Sequence, residues 1–198
     1  MSEPVPARRG RPGHDVDAVL RTAVDLFNQQ GYDATSVGDV AAELGVTKSA
    51  IYHHVPSKEH LLALALDEAL VPLERAVATA TAAPGPVAER LRECVRASVH
   101  VLVENQPSVT LLLRVHGNSQ TERSALERRR QIDAALATLV TEAIAEGTLR
   151  DDLAPELVSR LVFGMVNSLV EWHRPDRGHS VDDVAETIAA LAFDGLLR

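Results

Sequence analysis

The chain has 198 residues, a formal net charge of −8 at pH 7 and aromatic residues at only 3% of positions. Its length accommodates one small and one larger domain, and its acidic balance means that any binding to nucleic acid depends on which face holds the basic residues. With no bilayer-spanning apolar run, signal peptide or Gly-rich phosphate loop, the sequence predicts a cytoplasmic protein. The single cysteine, Cys94, excludes an internal disulfide and is predicted to be a core residue.

The first 14 residues, MSEPVPARRGRPGH, are rich in proline and glycine and have no helical periodicity. They are predicted to form a disordered basic arm. We interpret Arg8, Arg9 and Arg11 as residues that enter the DNA minor groove, as basic arms do. A solvated tail is the alternative.

A first helix is predicted from Asp15 to Gln30, because apolar residues recur there at helical spacing. The side chains expected to face inward are those of Val16, Val19, Leu20, Ala23, Leu26 and Phe27.

Residues 35–58 have the pattern of two short helices joined by a tight glycine turn. Gly45 is expected to end the first of them, since glycine readily adopts a positive φ. Thr47 is then in position to cap the second helix. Helix, turn and helix form the arrangement in which the second helix enters the major groove of DNA. Both lysines of the chain, Lys48 and Lys58, lie in this segment.

The segment Thr47–Leu62, TKSAIYHHVPSKEHLL, resembles the end of the DNA-binding domain of TetR-family repressors. That family typically has a tyrosine, a histidine–aromatic pair, and a lysine that opens the next helix. The corresponding residues here are Tyr52, His54, Val55 and Lys58. Val55 departs from the family's usual phenylalanine, which is expected to loosen one packing contact. The preceding helix also matches the family at Phe27, Gly31 and Tyr32. The resemblance therefore covers about residues 14–65.

We predict DNA contacts from this motif and from the arm. Tyr52 and Lys58 are expected to hold phosphates, with Lys58 at the start of a helix where the dipole also favours an anion. Base readout is expected from Thr47, Lys48, Ser49 and His53 at the exposed side of the second helix. The residues assigned to DNA binding are Arg8, Arg9, Arg11, Thr35, Ser36, Thr47, Lys48, Ser49, Tyr52, His53 and Lys58.

Beyond the motif, the pattern predicts only helices. Ser57 caps a long fourth helix, and Pro84-Gly85-Pro86 is the clearest break in the chain. Further helices are predicted at about 87–105, 107–115, 118–146, 155–173 and 180–197, which gives nine helices and no sheet. The predicted fold class is all-α, with an N-terminal three-helix helix-turn-helix domain over residues 15–60. A helical effector-binding and dimerisation domain is predicted to follow over residues 61–198.

The last two predicted helices are apolar on more than one side. Gly164, in the first of them, permits the close approach of another helix. In the TetR family two such helices from each subunit form a four-helix bundle, so the resemblance implies a homodimer. A two-fold protein also matches a two-fold operator. Completion of the monomer core is the alternative.

The middle helices are expected to enclose an effector site, with an apolar channel formed by Leu102, Val109, Leu112 and Val166. The segment 172–175, WHRP, resembles the C-terminal domains of TetR members that respond to acyl-CoA thioesters, whose phosphates suit arginines. A single polar or apolar residue of this kind is more often a surface or core residue than a ligand contact. The effector-binding candidates are Arg96, His100, Arg114, Arg128, Asn167 and Trp172.

The sequence therefore predicts a dimeric, ligand-responsive repressor that binds a palindromic operator in double-stranded DNA. A small-molecule effector, with an acyl-CoA thioester as the specific hypothesis, is expected to release it. An activator or an effector-less regulator of the same fold is the alternative. No enzyme activity, cofactor or metal site is predicted, because His53, His54 and His60 have no cysteine or carboxylate ligands nearby and no nucleophile–base motif is present.

Overall fold

A computed structural model describes residues 16–174 and 178–194, and within these ranges the chain is helical with short connections and no strand. The all-α prediction is confirmed. The helices are α1 (Val16–Gln30), α2 (Val37–Glu43), α3 (Lys48–His54), α4 (Lys58–Ala82), α5 (Val87–Glu104), α6 (Gln106–Arg114), α7 (Gln120–Ala145), α8 (Pro155–Asn167), α9 (Leu169–Trp172) and α10 (Val181–Asp194). The chain separates after Leu61 into two compact units.

The first unit is built from α1, α2, α3 and the start of α4. Apolar side chains of all four segments are buried in it, as the helical spacing predicts for one face of each helix. The buried set is Val19, Leu20, Ala23, Val24, Leu26, Phe27, Val37, Val40, Ala41, Ile51, Val55 and Leu61. Val16, which was predicted to face inward, is instead exposed, because it lies at the first helical position before the packed face begins. Val55 is buried although it is smaller than the phenylalanine usual in the family.

The termini of α2 and α3 have the local chemistry that the sequence predicts. Ser36 and Asp39 cap α2 reciprocally: Ser36 Oγ accepts from the Asp39 N–H at 3.2 Å, and the Ser36 N–H donates to the Asp39 carboxylate at 2.7 Å. Gly45 has φ = 65° in the turn, and Thr47 Oγ1 accepts from the Ala50 N–H at 3.2 Å. The predicted glycine stop and threonine cap are confirmed.

In the second unit, α5 packs against α6, α7, α8, α9 and α10. Its inner face is mostly apolar and buried along the whole helix, and it includes Leu91, Cys94, Val95, Val99 and Leu102. The prediction that Cys94 is a core residue is confirmed. Burial raises the pKa of the Cys94 thiol to about 11, because a thiolate in this environment would lose its hydration.

The predicted helix at 155–173 is in fact two helices. α8 ends at Asn167, the Ser168 N–H donates to the Gly164 carbonyl at 3.0 Å, and the short α9 follows. The described residues therefore contain ten helices where the sequence pattern predicted nine. The apolar run continues through the break, so hydrophobic periodicity alone cannot locate it.

A buried carboxylate organises the connection between α6 and α7. Glu122 is only 5% exposed, and one of its oxygens accepts from the N–H groups of His116, Gly117 and Asn118 at 3.3, 2.8 and 2.8 Å. The Glu122 N–H donates to Ser119 Oγ, which caps α7. One side chain therefore satisfies three amides of a loop whose Gly117 has φ = 91°.

Replacing this carboxylate should destabilise the second unit. Glu122→Ala leaves three loop amides without their acceptor, and we expect the free energy of unfolding to fall by about 2–4 kcal/mol. Glu127→Ala, at an exposed position of the same helix, is the matched control and should change it by less than about 0.5 kcal/mol. Chemical denaturation of both variants measures the difference, and equal stabilities would contradict the role given to Glu122.

Candidate DNA-binding surface and ligand cavity

Helix α3 packs against the rest of the first unit through one side, and its other sides are open to solvent. Ile51 is its buried residue, whereas Lys48, Ser49, Tyr52 and His53 are exposed. The Lys48 ammonium lies 5.9 Å from the centre of the Tyr52 ring, one turn further along the helix. A short helix held in this way presents polar groups outward and has the form of a helix that enters a major groove.

Three of the hydroxyl-bearing residues predicted to contact DNA, namely Ser36, Thr47 and Thr35, differ in their placement. Thr47 and Ser36 are exposed helix caps whose hydroxyl oxygens accept hydrogen bonds from backbone N–H groups. Each hydroxyl can still donate its own hydrogen to another acceptor. The Asp39 carboxylate lies beside Ser36, and the hydrogen bonds from Ser36 lower the pKa of that carboxyl. Thr35 is 1% exposed, and its Oγ1 donates to the Gly31 carbonyl at 2.8 Å. The assignment of Thr35 to DNA binding is therefore corrected, because its side chain fixes the loop between α1 and α2 from within.

Lys58 also differs from its predicted role. Its Nζ donates to the carbonyls of Tyr32 and Thr35 at 2.9 Å each and approaches that of Asp33 at 3.5 Å. The ammonium also lies 4.2 Å from the centre of the Tyr32 ring. Carbonyl acceptors from the α1–α2 loop thus surround the charge that was predicted to hold a phosphate. The geometry corrects Lys58 to a residue that closes this loop onto the start of α4.

The basic arm with Arg8, Arg9 and Arg11 lies outside the described residues.

The second unit contains a small interior cavity of about 50 Å³. Ten apolar and four polar residues line it, and they come from five helices. The lining is Ala69, Leu73, Ser98, Val101, Leu102, Val109, Leu112, Leu113, Arg129, Ile132, Asp133, Phe163, Val166 and Asn167. All four residues predicted to form an apolar channel are among them, as is the predicted polar residue Asn167.

The other effector candidates do not line this cavity. Arg96 binds the Glu186 carboxylate at 2.7 Å, and His100 Nε2 lies 3.1 Å from that of Asp182, so both residues connect α5 to α10. Arg128 pairs with Asp67 and Glu74 of α4, and these carboxylates raise its pKa further.

Arg114 and Trp172 are exposed, and the Trp172 Nε1–H donates to Ser168 Oγ at 3.3 Å. Arg96, His100, Arg114, Arg128 and Trp172 therefore lie outside the lining of this cavity, and their assignment to effector binding stays a prediction.

Sequence reasoning missed three polar residues of the cavity, namely Ser98, Arg129 and Asp133. Arg129 and Asp133 are four residues apart on α7 and therefore share a face. Arg128 and Arg130 diverge from Arg129 by about 100° each, so only one of the three adjacent arginines lines the cavity. The apolar residues Ile132 and Leu136 on the same side of α7 were the available signal, since they mark the inward face.

A larger groove of about 530 Å³ lies between α4 and α5. Val101 lines both this groove and the interior cavity. Arg75 and Arg90 contribute positive charge to the groove, and Glu89 and Glu93 contribute negative charge.

An apolar stripe is exposed on α8. It consists of Leu157, Leu161 and Gly164, which follow one another at helical spacing, and Leu161 is 61% exposed. A Cβ placed on Gly164 would meet no heavy atom within 4 Å in the described part of the chain. Packing within the subunit therefore does not require this glycine. Leu191 of α10 is also exposed, at 70%.

Residues 16–174 and 178–194 also contain neither a metal-binding cluster nor a membrane-spanning helix. No group of three or more His, Cys, Asp or Glu side chains in these ranges is arranged to hold a metal ion. None of the helices there is long and apolar enough to cross a membrane.

A helix-turn-helix with an open second helix defines a DNA-binding transcriptional regulator. A family model described as bacterial regulatory proteins of the tetR family matches residues 19–65, and one for the C-terminal domain of tetracyclin repressor-like proteins matches residues 84–196. The chain belongs to the TetR family of transcriptional regulators.

Individual relatives agree with this assignment. The repressor KstR2 of Mycolicibacterium smegmatis is 25% identical over 98% of this chain and 96% of its own length. A crystal structure of a TetR-family regulator from Streptomyces coelicolor has a TM-score of 0.83 and 47% identity over 91% of each chain. AibR, solved in complex with isovaleryl coenzyme A and operator DNA, has a TM-score of 0.76 and 25% identity over 90% of this chain and 97% of its own.

The two roles considered for Lys58 lead to different measurements. Lys58→Met removes the donor from two carbonyls, and we expect the free energy of unfolding to fall by about 2 kcal/mol. The salt dependence of operator binding should keep its slope, because no phosphate contact is lost. Lys48→Met, on the open side of α3, should leave stability within about 0.5 kcal/mol of the parent. A slope shallower by about one unit with unchanged stability would restore Lys58 as a phosphate contact.

Proposed function

We propose that the protein is a homodimeric repressor that binds a two-fold operator and is released by a small-molecule effector. The observation that carries this proposal is the presence, in one chain, of an open helix-turn-helix and a mostly apolar cavity. Relatives that match nearly the whole chain are named as repressors. This role implies action in the cytoplasm, where bacterial operators are found.

The DNA contacts that we propose centre on α3. Lys48, Ser49 and His53 read base edges from its open side, with Thr47 at the helix start. Tyr52 and Ser36 bind phosphates through their hydroxyl groups. The arm residues Arg8, Arg9 and Arg11 are proposed to enter the adjacent minor groove.

The proposed dimer buries the stripe on α8 together with Leu191 of α10. Leu157, Leu161 and Leu191 are each more than half exposed in the subunit, and their helices, α8 and α10, contact each other. Large exposed apolar side chains favour a protein interface. The open space beside Gly164 supports this choice, because it lets a second helix approach the backbone closely. A two-fold axis through α8 and α10 also pairs two recognition helices for a palindromic operator.

Charge at the centre of this stripe should separate the subunits. Leu161→Arg buries a guanidinium without a partner, and we expect dimer dissociation constants to rise by about 30-fold or more. Sedimentation analysis over a concentration series measures the change, and circular dichroism checks that the subunit stays folded. Val71→Arg, at an exposed apolar position on α4, is the matched control and should remain dimeric. A dimeric Leu161→Arg variant would remove this interface from the proposal.

The proposed effector is a coenzyme A thioester. AibR supports this class, since it was solved with isovaleryl coenzyme A and operator DNA. A volume of 50 Å³ holds about three to five water molecules, which suits a short acyl group. The groove between α4 and α5 shares Val101 with the lining of the cavity and offers room and the guanidinium of Arg75 for the polar remainder of the thioester.

Helix α4 is the proposed carrier of the signal. Its first residue, Lys58, closes the α1–α2 loop, and further along it Ala69 and Leu73 line the cavity. Pro72 lies inside the helix and lacks an N–H, which weakens the helical hydrogen bonding there. An effector that shifts α4 changes the separation of the two recognition helices, which must match half-sites about 34 Å or a multiple of that apart.

This mechanism requires reciprocal coupling between operator and effector. We expect isovaleryl coenzyme A to bind the free protein more tightly than the operator complex, by the same factor by which it weakens operator binding; couplings of this kind are about 5- to 150-fold. Calorimetric titrations with and without operator duplex measure both factors. Equal affinities in the two titrations would contradict the coupling and favour an effector-less regulator. Tight operator binding without binding of any thioester would overturn the effector class alone.

A further inference from the structure

Asp133 is the one carboxylate in the lining of the interior cavity. It is held at the boundary of α7 and α8, where its backbone carbonyl accepts the Ser159 hydroxyl at 2.9 Å. Its side chain is half-buried, and among the described residues no group donates a hydrogen bond or forms a close ion pair with the carboxylate.

The surroundings of this carboxylate are mostly apolar. Ile132 precedes it on α7, and Phe163 and Val166 line the cavity from α8. Burial raises the pKa of Asp133, against the opposing influence of the charges on Arg129 and Arg160. The carboxylate is thus partly dehydrated without the hydrogen bonds that normally compensate a buried charge, and a donor brought by a ligand would supply them.

The charges nearby define which kind of donor fits. Arg129 lines the same cavity one helical turn away from Asp133, and its own Nη1–H donates to the Leu112 carbonyl at 3.3 Å. A cationic ligand group would meet this guanidinium as well as the carboxylate, and a second carboxylate would be repelled by Asp133. A neutral hydroxyl avoids both conflicts and can donate to a carboxylate oxygen.

We propose that Asp133 determines effector specificity by accepting a hydrogen bond from a hydroxyl group on a short, otherwise apolar acyl chain. The inference rests on the proposed function, because it takes the interior cavity as the acyl site of a coenzyme A thioester. It goes further in assigning a chemical class to the acyl group: hydroxyacyl thioesters bind in preference to their unsubstituted parents.

The experiment compares two probes that differ by one oxygen, isovaleryl coenzyme A and 3-hydroxyisovaleryl coenzyme A. Their dissociation constants are measured by calorimetry for the full-length parent and for Asp133→Asn, Asp133→Leu and Glu127→Leu. Asparagine keeps the shape but removes the charge, and leucine removes the acceptor. Glu127 is an exposed carboxylate on the same helix and outside the cavity, so its variant controls for the loss of a negative charge from α7.

We expect the parent and Glu127→Leu to bind the hydroxylated probe at least about 10-fold more tightly than isovaleryl coenzyme A, since sites that bind a hydroxyl discriminate against its absence. The preference should decrease in Asp133→Asn and reverse in Asp133→Leu. Thermal unfolding of each variant verifies that the protein remains folded.

Three results would overturn the proposal, in two distinguishable ways. Equal dissociation constants for the two probes in the parent, or a preference that persists in Asp133→Leu, would remove Asp133 as the specificity determinant and leave the thioester class intact. Failure of both probes to bind the parent would overturn the thioester class, and with it the hydroxyacyl assignment.

Discussion

Two loops of this chain are each closed by one charged side chain that binds backbone groups. In the first unit Lys58 donates to carbonyls of the α1–α2 loop, and in the second Glu122 accepts from amides of the α6–α7 loop. Both contacts compensate polar groups that would otherwise be partly dehydrated. The cap of α2 follows directly from the Lys58 loop, and α3 follows from α2, so the orientation of the DNA-binding helix depends on this ammonium.

The elements of the fold were largely predictable because they depend on local chemistry. Gly45 and Thr47 limit the motif helices through their own backbone and side-chain preferences, which neighbouring packing does not alter. The break at Ser168 was not predictable, because apolar residues continue on both sides of it. The residues of the candidate sites were harder to predict, since residue type alone does not give the direction of a side chain. Lys58 turns inward to carbonyls, and Arg128 binds carboxylates of α4 while its neighbour Arg129 lines the cavity.

Few basic side chains in the described part of the DNA-binding region remain exposed in this geometry. Residues 1–60 contain six Lys or Arg and eight Asp or Glu. With Lys58 engaged by its own loop, the exposed basic residues of the described part of this unit are Arg21 and Lys48. In the proposed complex, affinity for DNA then depends on hydroxyl groups, backbone amides and the proposed arm contacts more than on lysine contacts within the folded unit. An acidic protein can thus bind an operator with a small electrostatic contribution from its core.

Cys94 is the single cysteine of the chain, and burial in α5 both covers its sulfur and disfavours the reactive thiolate. Maleimides and methanethiosulfonates react with accessible thiolates, so the native protein should be silent to such labels. A cysteine introduced on the open side of α3 would then be the only site modified, with no need to remove Cys94 first. In the proposed two-fold dimer each such label has one symmetry mate. The chain is therefore suited to distance measurements between paired spin labels or fluorophores across the operator-binding face.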